Sequence, residues 1–172
     1  ALRFKQLLKV CDLNTPFTLN DYGCGYGALL HYLKGEGIKC AYRGFDISAY
    51  MVREARKLHE GLSGCEFFEE ESRLSVADYT IASGIFNVKQ QTGNAEWQGY
   101  MRQIVGKLDS LSAKGFAFNV LTAYSDKEYM RPDLFYADPL FWFDHCKRRF
   151  SKFVALLHDY PLYEFTILVR KE

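Results

Sequence analysis

Residues 17–30 read FTLNDYGCGYGALL, and the order of residue types in that stretch decides the architecture. Residues 17–22 alternate as a short strand. Gly23, Gly25 and Gly27 then turn the chain, and Leu29, Leu30 and Leu33 mark the inward side of a following helix. A strand that passes through a glycine turn into a helix is a nucleotide-type loop. Its glycines let backbone approach a ligand closely, and the helix start offers unpaired N–H groups. Spacing alone leaves the ligand open, because Gly23-x-Gly25-x-x-Ala28 satisfies the dinucleotide fingerprint, with Asp46 about twenty residues further on to take a ribose hydroxyl. Asp21 breaks the tie. It lies two residues before the first glycine, where a pyrophosphate-binding strand keeps an apolar residue. A carboxylate there repels a pyrophosphate and suits a ligand with positive charge, such as an amino acid whose cationic sulfur is joined to adenosine.

Working outward, Leu2, Phe4, Leu7, Leu8 and Cys11 are spaced like one helix face, and Pro16 stops that segment. Gly35-Glu36-Gly37 ends the second helix, and a strand over 39–45 runs into Asp46. Ser48 reads as the N-cap of a helix over 49–60, with Met51, Val52, Ala55 and Leu58 expected on its buried side. Strands follow at 65–68, 76–82 and 115–121, with a helix over 95–108 between the last two. This alternation predicts a mostly parallel sheet with helices on its faces. After a polar connection over 122–131 and a short helix over 140–147, strands at 152–158 and 163–170 are joined by Asp159-Tyr160-Pro161-Leu162. So short a connection makes them antiparallel, which an ordinary dinucleotide fold does not require. No repeat or linker divides the chain, so 1–172 is expected to be one domain.

Composition narrows the partners. Lys plus Arg is 22 against 21 for Asp plus Glu, a formal charge of +1, so no whole-chain nucleic-acid footprint is visible. No apolar run reaches the roughly 18 residues of a membrane span, and the opening ALRFKQLLKV lacks the apolar stretch of a signal peptide. The sequence begins without Met, as a trimmed chain would. Cys11, Cys24, Cys40, Cys65 and Cys146 form no C-x-x-C pair. They are read as reduced thiols, mostly small buried hydrophobes, in a cytoplasmic setting. The 14 Phe, 12 Tyr and 2 Trp crowd toward the end of the chain and suggest a site that stacks and hydrogen-bonds its substrate. Glu66, Glu69, Glu70 and Glu71 are read as a strand end and solvated turn rather than a metal site. Lys147-Arg148-Arg149 is read as a solvated helix end.

Four segments together, LNDYGCGYGALL at 19–30, GFDIS at 44–48, ADYTIASGIFN at 77–87 and HDYPLYEFTILV at 158–169, resemble a class I S-adenosylmethionine-dependent methyltransferase. The resemblance runs through nearly the whole chain in order. It implies an α/β three-layer sandwich whose seven-stranded sheet is mostly parallel, with the last strand antiparallel. The implied cofactor is S-adenosylmethionine and the product S-adenosylhomocysteine. Tyr22, Gly23, Cys24 and Gly25 would pass under the methionine part, and Asp21 would act at its amino-acid end. Asp46 would accept both ribose hydroxyls, and Ile47 and Met51 would pack on the adenine. Ser83 would face the cofactor, with Phe86 beside it in the substrate mouth. One of Glu69, Glu70 and Glu71 would approach the adenine amino group, and Arg3 is a candidate for the cofactor carboxylate.

The departures from known subfamilies bear on the acceptor. Ser83-Gly84-Ile85-Phe86-Asn87 is not the Asn/Asp-Pro-Pro-aromatic tetrad of nucleic-acid amino methylation, and neither Cys24 nor Cys40 has the Pro-Cys context of a pyrimidine nucleophile. No metal-dependent catechol-type set of acidic residues is recognisable. The expectation is a small-molecule acceptor held among Phe86, Tyr124, Phe135, Tyr136, Phe141 and Trp142, with no assigned catalytic residue. His145 and His158 are candidate bases, although His158 is read first as a strand end. Asn119 and Tyr124 fall where sheet ends face ligands, while His31 and His59 are read as exposed helix residues. Tyr26 fits a lid or a plain surface position equally. The competing functions are an NAD(P)-binding Rossmann-type oxidoreductase and a catalytically silent S-adenosylmethionine-binding module.

Overall fold

In the computed structural model, which describes residues 1–171, β1 (Phe17–Tyr22) lies inside the sheet with a parallel neighbour on each side. On one side stand β2 (Cys40–Phe45) and then β3 (Cys65–Phe68). On the other stand β4 (Ala77–Ala82) and β5 (Ser112–Leu121), both parallel to β1. The sheet is completed by β6 (Phe153–Leu157) and β7 (Glu164–Arg170), giving the order β3-β2-β1-β4-β5-β7-β6. β7 runs antiparallel to both β5 and β6, so the hairpin inserts its second strand between the first and the parallel set. The strand order reverses between β1 and β4. In open α/β sheets that switch point leaves a crevice beyond the carboxyl ends of the strands.

Helices cover both faces, because alternate residues of each buried strand need apolar partners on opposite sides. On one face, α1 (Leu2–Leu7), α2 (Ala28–Gly35) and α3 (Ala49–Leu58) bury Leu7, Leu29, Leu30, Leu33, Val52 and Ala55. They meet Leu19, Tyr42, Ile81 and Leu168 of the sheet. On the other face, α4 (Asn94–Ser110) and α5 (Pro139–Arg149) bring Met101, Val105, Leu108, Trp142 and Cys146 against Phe116, Phe118, Phe165 and Ile167. Among the described residues, no helix is long and apolar enough to cross a membrane. All five cysteines are free thiols.

Several local expectations change. Ser48 caps α3 by accepting the Met51 N–H at 3.4 Å, but Met51 and Leu58 are exposed. Only Val52 and Ala55 of that helix are buried, since its ten residues present a narrow stripe to the sheet. His59, expected on the surface, is buried, with its ring stacked on Phe67 at 5.5 Å. Phe86, Phe135 and Trp142 do not line a mouth. Phe86 is 0% exposed, meets Phe118 edge-to-face at 5.8 Å, and joins Phe135 and Trp142 in one apolar core. Trp97 Nε1 donates to the Phe86 carbonyl at 2.9 Å and fixes that turn inward.

Candidate functional site

The loop after β1 is held from below by one carbonyl. Gly23 and Cys24 both donate their N–H to the Phe45 oxygen, at 2.8 and 2.9 Å, so the ends of β1 and β2 are tied together. Gly27, at φ +84°, is the N-cap of α2, and a Cβ there would stand 2.7 Å from His59 Nε2. Only glycine lets the turn close against that buried ring. Gly25, at φ +54°, has open space where a side chain would project, so the outer surface of the loop is bare backbone.

Asp46, just beyond β2, faces this loop. One carboxylate oxygen accepts the Gly25 N–H at 2.8 Å and the other accepts the Ser48 N–H at 2.9 Å. A carboxylate has about four lone-pair sites, so each oxygen keeps acceptor capacity after those two bonds. Beside it, Ile47 is 89% exposed and Met51 is also exposed. These are two exposed apolar side chains next to an acceptor.

Asp21 lies deeper, on the α1–α2–α3 face, and is buried. Tyr42 of β2 donates its hydroxyl to Asp21 Oδ2 at 2.6 Å. Burial pushes the Asp21 carboxyl up to about 7; the Tyr42 bond opposes the rise and the charge of Asp46 adds to it. Cys24 packs between them against Gly44, where a Cβ would meet its Sγ at 2.8 Å. Burial pushes that thiol up, and so do the charges of Asp21 and Asp46, leaving it protonated and unreactive. Tyr22 points to the opposite face, where its hydroxyl donates to Glu71, so only its backbone belongs to the loop.

Glu71 also pairs with Lys107 at 3.1 Å, and Glu69 pairs with Arg56 at 3.2 Å. Glu70 is exposed at the turn between them. Ser83, half-buried, follows the end of β4. The next residue, Gly84, donates its N–H to Asn119 Oδ1 at 2.8 Å. Asn119 is thus a fully buried clamp between the ends of β4 and β5. Arg3 is engaged: its Nε and Nη2 grip the buried Glu164 carboxylate at 2.6–3.1 Å, while Nη1 lies beside Gly84. Tyr124 is 69% exposed at the same sheet edge, with its ring 5.9 Å from exposed His158. Tyr136 is half-buried, and its hydroxyl accepts the Arg131 N–H at 3.0 Å. Phe141 and His145 lie elsewhere, stacked together on α5.

The fold therefore brings Asp21, the backbone of Tyr22–Gly25, Asp46, Ile47, Met51 and Ser83 to the carboxyl edge of the sheet around the switch point. Tyr42, His59 and Glu164, which support this edge, escape a reading of the sequence. Tyr42 and Glu164 are ordinary alternating strand positions, and only the placement of β1 beside β2 and of α1 over β7 reveals their partners.

No family model matches the chain. A Mycobacterium tuberculosis protein named "Putative methyltransferase Rv1506c" is 51% identical over 164 residues, covering 95% of this chain and 99% of the relative. Human N-acetylserotonin methyltransferase, solved in complex with S-adenosylmethionine, superimposes with a TM-score of 0.69 at 16% identity. That match covers 99% of this chain, which spans only 52% of the human one. An S-adenosylmethionine-dependent methyltransferase from Aquifex aeolicus gives a TM-score of 0.64 at 16% identity, over 97% of this chain and 88% of the other.

Proposed function

This chain belongs to the class I, Rossmann-like methyltransferase family, and we propose that it moves a methyl group from S-adenosylmethionine to a small-molecule acceptor by in-line displacement. One observation carries the reading: two carboxylates, Asp21 and Asp46, bracket a glycine loop whose outer surface is bare. That arrangement fits an adenosyl ligand with a positive charge and does not fit a pyrophosphate. When bound, the cofactor supplies a methyl group activated by a sulfonium. The chain's own residues hold and orient it.

The spare lone pairs of Asp46 suit a vicinal diol, and the bonds from Gly25 and Ser48 fix the carboxylate in place to receive one. Ile47 and Met51 offer exposed apolar surface for the adenine. The backbone of Tyr22–Gly25 carries the methionine part, Asp21 provides a buried countercharge, and Ser83 closes the site at the end of β4. Tyr124 and Tyr136 are the acceptor-side aromatics that stay accessible at this edge. Positioning can supply much of the rate, since orientation alone is worth up to roughly 7–11 kcal/mol in favourable cases.

Calorimetric titration with S-adenosylmethionine, S-adenosylhomocysteine and both nicotinamide redox forms tests the proposal. Micromolar binding of the adenosyl ligands alone is expected. Preferential binding of a nicotinamide cofactor would restore the oxidoreductase alternative. Adenosyl binding with no turnover across a broad metabolite panel would make the chain a silent binding module.

A further inference from the structure

On the face of the sheet opposite Asp21, α4 and α5 enclose a shallow cavity of about 310 Å³ lined by Arg102, Phe141, Asp144, His145, Arg148 and Arg149. Its floor is aromatic: Phe141 and His145 stack within 10° of parallel at 6.1 Å, and the Arg102 guanidinium lies 5.1 Å over the Phe141 ring. Three guanidiniums face one carboxylate. Asp144 is taken by Arg148 at 2.7–2.8 Å, and among the described residues neither Arg102 nor Arg149 has a carboxylate partner.

The C-terminal dipole of α5 accounts for basic residues in its last turn, which holds Lys147, Arg148 and Arg149. It does not account for Arg102. That residue sits in the middle of α4, reaches across to the same cavity, and meets like charge there. The unneutralised charge is felt locally: burial first, then Arg102 and Arg149, hold His145 below the ordinary imidazole range, against the opposing pull of Asp144. Two unpaired guanidiniums, each a planar fork of donors, match a dianionic tetrahedral oxyanion in charge and geometry. We propose that this cavity binds the phosphoryl group of a phosphomonoester, at a site separate from the cofactor edge and independent of the cofactor's identity. A phosphodiester brings only half the charge per group, so nucleic-acid backbone is the poorer fit.

The test follows the His145 ring by NMR while inorganic phosphate or glycerol 3-phosphate is added at constant ionic strength, with chloride as the control. A saturable shift is expected, together with an upward move of the His145 titration midpoint as the added anion offsets the arginines. Arg102→Gln and Arg149→Gln should each weaken binding at least tenfold, while Arg53→Gln on α3 leaves it unchanged. Equal affinity for the two probes would mean that the phosphoryl group alone is read. Tighter binding of glycerol 3-phosphate would point to a phosphorylated metabolite. A shift that chloride reproduces, one that never saturates, or glutamine variants that bind as tightly as the parent would overturn the proposal.

Discussion

Replacing Asp21 with asparagine should stabilise the protein by an amount that grows as pH rises from about 4 to about 7. The carboxyl is buried and its native value is about 7, against 3.8 for an unperturbed aspartate. Between those values the native chain keeps a proton at Asp21 that the unfolded chain releases. Stability must then fall as pH rises through that window. A separation of about three pH units at about 1.4 kcal/mol each gives a penalty of ~4 kcal/mol, complete above pH 7 and absent below pH 4. Asparagine cannot ionise, yet its side-chain oxygen can accept the Tyr42 hydroxyl in the same place. The difference in unfolding free energy between Asp21→Asn and the parent should therefore climb from its pH 4 value by ~4 kcal/mol on reaching pH 8. Urea titrations at half-unit pH steps measure it directly, and titrating groups remote from Asp21 cancel in the comparison. Parallel pH profiles for the two proteins would refute the argument. Above pH 7, where the parent's Asp21 is ionised, the same variant should bind S-adenosylmethionine more weakly, because the buried countercharge is gone. A gain in stability joined to a loss of binding is the expected signature of a strained functional group.

Three further substitutions separate roles within the site. Asp46→Ala removes the acceptor for the Gly25 and Ser48 N–H groups; calorimetry should show cofactor affinity reduced at least tenfold, and undiminished affinity would remove the ribose assignment. Gly27→Ala places a methyl group against His59 at a left-handed position; a loss of roughly 1–3 kcal/mol is expected in denaturant unfolding. Phe86→Ala should cost roughly 3–5 kcal/mol because the ring is wholly buried. A stable Phe86→Ala protein with altered acceptor preference would return that residue to the substrate mouth.

What a sequence reading reaches here follows the range of the interactions involved. β1, the glycine loop and the leucine face of α2 are encoded within seventeen consecutive residues, 17–33, by alternation, a turn and a helical period. The Asp46–Ser48 turn is equally local. These elements agree with the structure because neighbours along the chain suffice to specify them. The terminal hairpin is also local, although the seat of its second strand, β7, beside β5 is fixed by partners forty residues away and more.

The failures share a different cause. A helical period carried through residue 60 puts Leu58 inside and His59 outside, but α3 ends at Leu58, and the turn after it rotates the imidazole under Gly27. Phe86 follows a strand end that faces ligands in related folds. Its burial is decided by the carbonyl bond from Trp97, eleven residues on, and by Phe118 from the next strand. Arg3 looks available as a ligand-facing group, yet its guanidinium holds Glu164, and Asn119 spends its Oδ1 on Gly84 while its Nδ2 stays without a partner among the described residues. The proposed cofactor side is thus built from backbone and carboxylates that the chain presents locally. The proposed acceptor side is built from the ends of β4, β5 and β7, braced by Arg3 of α1 through a contact that spans 161 residues. An acceptor preference set by such contacts has no short motif to carry it, so it has to be found by assay of the folded protein.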